Sequence, residues 1–202
     1  MKPARTRAVF VTPSGASIKL RRLSRRDLPQ LLIFANALVS EKKVNPDLGI
    51  VSLDRKVSHA DERRYLNRVL EGIRKQEFVS VAASDGDKLV GNCDIVRRTP
   101  YDVRHTGVLG IVLLDGYRGM GLGEAMMRNA LEQALSLGVW LVELEVFANN
   151  RTAWHLYKKL GFREVGMVPQ KIQRGGRGID EIQMYIDLRI SDKSTTQART
   201  PG

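Results

Sequence analysis

The chain reads as a single α/β domain, a mixed sheet with helices on both faces. Three observations carry that reading. At 202 residues the chain is long enough to bury one core of its own and short enough for a single domain. Short apolar runs rich in β-branched residues alternate with segments whose apolar residues recur at helical spacing. The turn Arg118-Gly119-Met120-Gly121-Leu122-Gly123 joins one such strand to one such helix.

Taken in order, Ser58-His59-Ala60-Asp61 is a capping signature that opens a helix through Tyr65, Leu66, Val69, Leu70 and Ile73. Residues 78–83 and 88–96 read as a hairpin, with Asp85-Gly86 as its turn signal. Residues 108–114 are a continuous apolar run of strand length. Past the glycine-rich turn, Leu122, Ala125, Met126, Ala130, Leu131, Ala134 and Leu135 form a helical stripe that stops at Gly138. Residues 139–147 are β-branched and aromatic, hence a strand. Asn149 or Asn150 then caps a helix with Ala153, Tyr157 and Leu160 on one face and Gly161 as its C-cap.

A glycine-rich turn at the start of a helix points several backbone N–H groups at one spot, at the positive end of the helix dipole. That is an anion nest suited to a phosphate or pyrophosphate. A P-loop would need Lys and Ser/Thr after the last glycine, and both are missing. A Gly-x-Gly-x-x-Gly dinucleotide fingerprint fails too: Glu124 or Met126 stands where the third glycine belongs, although Glu143 lies where a ribose-binding acid would.

The turn does fit Arg/Gln-x-x-Gly-x-Gly/Ala, through Arg118, Gly121 and Gly123. A second motif follows at the right distance. Leu144, Glu145, Val146, Asn150, Ala153, Leu156, Tyr157, Gly161 and Phe162 fit Leu-Glu-Val…Asn-x-x-Ala-x-x-Leu-Tyr-x-x-x-Gly-Phe. On these two motifs the chain resembles the GNAT (N-acetyltransferase) superfamily. Its Leu-Glu-Val segment is similar to that of the ribosomal-protein alanine N-acetyltransferases.

The resemblance implies a mostly antiparallel sheet with a splayed central strand pair. It makes residues 17–23 a first strand running into a helix capped by Ser24-Arg25-Arg26-Asp27, and residues 180–188 the closing strand. The coarse order is then β-α-α-β-β-β-α-β-α-β. Residues 1–16 form a basic N-terminal arm, 17–189 the N-acetyltransferase domain, and 190–202 a disordered tail.

The resemblance also implies chemistry: acetyl-CoA as co-substrate, and direct attack by a primary amine in a ternary complex. The acceptor is a peptide N-terminus or an amino-acid-like small molecule. Backbone N–H groups from Arg118 through Gly119, Gly121, Gly123 and Glu124 would hold the pyrophosphate, with the Arg118 side chain adding charge or serving only structure. Ile111, Val112 and Leu113 would pair with pantetheine as a substitute strand does, the Leu113 N–H acting as oxyanion donor. Asn150 would bond the pantetheine arm, cap its helix, or both. An amine is mostly protonated at neutral pH and must lose a proton before it attacks. Glu145 is the first candidate base and Glu143, on the same strand face, the second, with Glu62, His59 and His105 in reserve. Tyr157 stands at the family's general-acid position.

Composition bounds the remaining classes. The formal net charge is +11, and the first 30 residues hold eight basic side chains against Asp27 alone. Only Phe10 lies among them, so base stacking on aromatics has little to work with and specific nucleic-acid readout is not expected. No apolar run approaches the roughly 20 residues that span a bilayer, no secretory signal is evident, and the single Cys93 forbids an internal disulfide. The expectation is a cytoplasmic protein with no membrane partner, a core thiol at Cys93, and no metal, since the three histidines have no ligand spacing. Oligomeric state stays open. Two rivals also stay open: a non-catalytic acyl-CoA sensor, and a basic ribosome-associated protein on the same scaffold.

Overall fold

A computed structural model describes residues 7–191. Its elements are β1 (Arg7–Val11), β2 (Ser17–Arg21), α1 (Leu28–Val44), α2 (His59–Arg74), β3 (Phe78–Asp85), β4 (Lys88–Arg97) and β5 (Thr106–Leu113), then α3 (Leu122–Ser136), β6 (Leu141–Phe147), α4 (Arg151–Lys159), β7 (Arg163–Arg174), β8 (Arg177–Asp187) and the short α5 (Leu188–Ser191). Eight strands form one sheet in the order β1-β2-β3-β4-β5-β6-β8-β7. Every neighbouring pair is antiparallel except β5–β6.

Strand alternation sorts the side chains into two layers. Val81, Cys93, Ile95, Leu109, Val142, Leu144, Val146 and Met184 face α3 and α4 in the larger core, with Met126, Met127 and Phe162 packed on them. Phe78, Ala82 and Val112 face α1 and α2 in the smaller one, against Leu31, Phe34, Leu66 and Val69. The helix starts are those the sequence signals. Ser58 Oγ accepts from the Asp61 N–H at 3.1 Å, and Asp61 accepts in turn from the Ser58 N–H at 3.2 Å. Ahead of α1, the Ser24 N–H and hydroxyl both donate to Asp27 Oδ2, at 2.6 and 2.9 Å.

Two strands, β1 and β7, are additional to the expected order. Residues 7–11, assigned above to the basic arm, are β1, paired with β2 from Arg7↔Arg21 to Val11↔Ser17. Residues 169–179 belong to a long β7–β8 hairpin, closed by Gly175 and Gly176 at φ 56° and 75°, the positive values a two-residue turn demands. Of the expected tail, residues 190 and 191 end α5; the rest lies outside the described residues, as do residues 1–6.

Candidate active site

β5 and β6 run parallel and pair only at Thr106↔Leu141, Gly107↔Val142 and Val108↔Glu143. Beyond that point they part, which leaves the C-terminal half of β5 with one free edge. The Leu114 N–H donates to the Val90 carbonyl at 2.9 Å. N–H directions alternate along a strand, so the Leu113 and Ile111 amides turn away from β4 and into the splay. Val112, grouped with them above, turns its amide toward β4 and its side chain into the α1/α2 layer.

The glycine-rich turn sits at the end of that free edge. Gly119 and Gly121 have φ of 73° and 89°, values that a side chain strains against. A Cβ at Gly119 would meet open space, and one at Gly121 would lie 3.7 Å from Phe10 of β1. The first helical bond of α3 runs from the Ala125 N–H to the Gly121 carbonyl, and the amides ahead of it are the unpaired donors of a helix start. Those donors fit a pyrophosphate. Arg118 does not point its charge there. Its Nε and Nη2 donate to the Leu113 carbonyl at 3.0 and 2.6 Å, and its guanidinium grips both carboxylate oxygens of Glu41 on α1. The Glu124 side chain is likewise engaged, by Arg128 and Lys159, leaving its backbone N–H for a ligand.

α4 supplies two further groups. Asn150 Oδ1 accepts from the Ala153 N–H at 3.1 Å, so it is the N-cap. Its Nδ2 lies beside Gly49 of the α1–α2 loop, where a Cβ would stand 3.2 Å away. Tyr157 is 7% exposed, within the larger core. Burial, and secondarily the neighbouring Cys93, pushes its phenol well above the usual range. Cys93 itself is fully buried, and burial raises its thiol too, as a core residue requires.

Glu143 and Glu145 share the β6 face opposite the larger core, and both are paired. Arg98 reaches Glu143 at 2.7 Å. Lys171 of β7 reaches Glu145 at 2.9 Å and also pairs with Glu181, which is 2% exposed. His59 opens α2, and the His105 ring stacks on Trp140 at 4.2 Å. No group of three or more His, Cys, Asp or Glu side chains that could hold a metal occurs among the described residues.

Several partnerships around the site are not announced by the sequence. Arg174, near the hairpin tip, donates to the carbonyls of Pro46, Leu48 and Ile50 at 2.8, 2.6 and 2.6 Å. Asp47 of the same loop accepts from Asn149 at 2.9 Å and Arg177 at 3.3 Å. On the other side of the splay, Tyr65 donates to Asp94 Oδ2 at 2.7 Å, and Asn92 donates to the same oxygen at 2.8 Å. In the sequence only the alternation of Asn92 and Asp94 between apolar neighbours could have marked them.

Comparison with known proteins agrees with this geometry. Residues 49–162 match the acetyltransferase (GNAT) family. An L-methionine sulfoximine/L-methionine sulfone acetyltransferase of Pseudomonas paraeruginosa is 25% identical over 174 residues, 85% of this chain and 95% of that one. An L-amino acid N-acetyltransferase of Escherichia coli is 31% identical over 132 residues, 63% of this chain and 78% of its own. The crystal structure of a ribosomal-protein-alanine N-acetyltransferase from Brucella melitensis superposes with a TM-score of 0.71 at 25% identity, covering 84% of this chain and 99% of that one. The ribosomal-protein branch is thus one among several that the chain resembles.

Proposed function

Because the chain belongs to the GNAT acetyltransferase family, we propose that it moves the acetyl group of acetyl-CoA to the primary amine of an amino-acid-like molecule. The observation that carries this reading is the parting of β5 from β6 after Val108↔Glu143, immediately beside a glycine-rich helix start. Two of the relatives act, by name, on amino acids or their analogues, and a free protein N-terminus offers the same chemical group.

Acetyl-CoA supplies an activated acyl carbon. The amides at Gly119, Gly121, Gly123 and Glu124 hold its pyrophosphate. Ile111 and Leu113 offer backbone groups along the splay, the Leu113 N–H being placed to stabilise negative charge on an oxygen. Asn150 Nδ2 reaches the arm between the two. Tyr157 keeps its phenolic proton at neutral pH, since burial raises it, and donates it as the thiolate departs. Glu145 takes a proton from the amine, and Lys171 lies 2.9 Å from it as its ion-pair partner.

The test is thiol release from acetyl-CoA with the purified protein. The panel holds amino acids, methionine sulfone, short peptides of varied N-terminus and polyamines, and Glu145→Gln runs beside wild type. Amine-dependent release that drops at least tenfold in Glu145→Gln is the expected result. Binding of CoA without turnover of any amine would support the sensor instead. Nucleic-acid binding that falls steeply with salt and ignores CoA would support the scaffold reading.

A further inference from the structure

Lys171 sets an amine of this chain's own against the candidate base. It sits on β7 and reaches across β8, its Nζ lying 2.9 Å from Glu145 Oε1 of β6 and ion-paired with Glu181 of β8 as well. Leu144, Val146, Ile182 and Met184 fill the larger core, so strand alternation puts both carboxylates on the opposite face. Glu181 is buried, whereas the Lys171 side chain keeps 35% of its surface open.

Register fixes the height of that ammonium along the sheet. Glu145 pairs with Gln183 and Phe147 with Glu181, so a cation bridging Glu145 and Glu181 lies between the rows of residues 145 and 147. β5 and β6 last pair at Val108↔Glu143. Two and four residues on, those rows are level with Gly110 and Val112. Lys171 Nζ therefore stands level with Ile111, whose amide turns into the splay. Gly110 leaves the same face open, since a Cβ built on it would meet nothing within 4 Å. The flexible four-carbon stem of a lysine lets its nitrogen swing from the ion pair toward β5.

We infer that Lys171 is itself an acceptor, so that the protein acetylates its own Lys171 Nζ. The inference rests on the transferase reading and adds a second class of substrate to it, a lysine of the same chain. The ammonium gives one proton to Glu145, and its lone pair adds to the thioester carbonyl carbon. The C–S bond then breaks. The second proton lost by the nitrogen balances the one that Tyr157 gives to the sulfur. The products are an acetamide on Lys171, the CoA thiol and the proton on Glu145. Hydrogen bonds to Glu181 and then to Glu145 raise the Lys171 ammonium, so its first deprotonation is uphill and the modification is slow beside turnover of a free amine. The acetamide carries no charge, so Glu181 loses its cation when Lys171 is modified.

The test is peptide mass spectrometry after the full chain is held with acetyl-CoA bearing a trideuterated acetyl group and no added amine. Lys171 should take one label at least tenfold faster than Lys43, which is exposed on α1. The labelled fraction should grow at a rate independent of protein concentration, as a reaction within one chain requires. Glu145→Gln should slow Lys171 at least tenfold and leave Lys43 alone, and an unchanged melting temperature reports that this variant folds. Equal labelling of the two lysines, a rate that climbs with protein concentration, or labelling untouched by Glu145→Gln overturns self-acetylation. A parallel run with the amine panel separates the two readings. Free amine acetylated while Lys171 stays bare sinks self-acetylation alone. Lys171 labelled while no free amine turns over keeps it and sinks the external acceptor.

Discussion

Arg118 and Glu41 stand 77 residues apart in the chain, yet two hydrogen bonds join them, Nη2 reaching Oε2 at 2.9 Å. The same guanidinium holds the Leu113 carbonyl at the end of β5. One side chain thus ties α1, the free strand edge and the glycine-rich turn together. Hydrogen bonds to charged groups contribute about 1.5–3 kcal/mol when formed away from bulk water. Arg118→Ala is expected to lower stability to urea by about 1–3 kcal/mol and to weaken CoA at least tenfold. Glu41→Gln should do part of both, and the double variant should be less than additive. A large CoA defect in Arg118→Ala with stability unchanged, and none in Glu41→Gln, would mean that the guanidinium serves the phosphates instead.

Tyr157→Phe preserves the ring that packs near Phe162 at 6.0 Å and removes only the hydroxyl. The expected result is a fall in kcat of about 10²-fold, the lower range for a positioned proton donor, with the melting temperature nearly unchanged. Because burial raises the phenol, it stays protonated through neutral pH, and an alkaline fall in rate near pH 8 would belong to another group. Unchanged kcat in Tyr157→Phe removes the acid role.

The N-terminal turn of α2 contributes a pH-dependent stability. Burial, and secondarily Asp61, raises Glu62 from 4.5 to about 7. Between those values the folded protein holds a proton that the unfolded chain has released. The favourable contribution is therefore complete below about pH 4.5 and is lost as pH rises through about 7. Glu62→Gln abolishes that loss. Its melting temperature relative to wild type should climb by about 2–4 °C or more between pH 5 and pH 8. A difference that stays flat across this window would show Glu62 to be ionised throughout.

The two GNAT motifs were legible because each answers a local demand. Positive φ at Gly119 and Gly121, and the cap at Asn150, are requirements of a few consecutive residues. The splay at Val108↔Glu143 followed only from the resemblance, since nothing within either strand announces where its neighbour departs. β1 was hidden because Arg7 and the basic residues around it resemble a solvated arm, and its Val9 and Val11 are exposed. Glu41 with Arg118, Arg174 with three carbonyls, and Lys171 between Glu145 and Glu181 are partnerships across distant segments. No periodicity or spacing encodes such pairs. Burial makes the same point at Asp94, which in sequence is one acid in a strand.

Arg174→Ala should loosen the segment that carries Pro46, Leu48 and Ile50. Hydrogen exchange at residues 45–50 should accelerate, and KM for the amine should rise about tenfold, equivalent to about 1.4 kcal/mol, with KM for acetyl-CoA unchanged. Arg174→Lys keeps the charge but loses the fork geometry, so it should fall between the two. A defect confined to acetyl-CoA would place the loop over the other substrate.

Native protein should react with a thiol reagent at a negligible rate, because Cys93 has no exposed surface and burial raises its thiol. Thiol counted during turnover is then CoA alone. Stoichiometric labelling of the folded protein within minutes would contradict this burial.

The β7–β8 hairpin reaches out from the sheet and fastens the α1–α2 loop through three main-chain carbonyls, held by Arg174, and one side chain, Asp47, held by Arg177. The Arg174 part of that fastening is indifferent to which side chains stand at residues 46, 48 and 50. Those three side chains can therefore change while Arg174 still closes the latch. On the proposed transferase reading, recognition and chemistry are thereby separately heritable within one small domain.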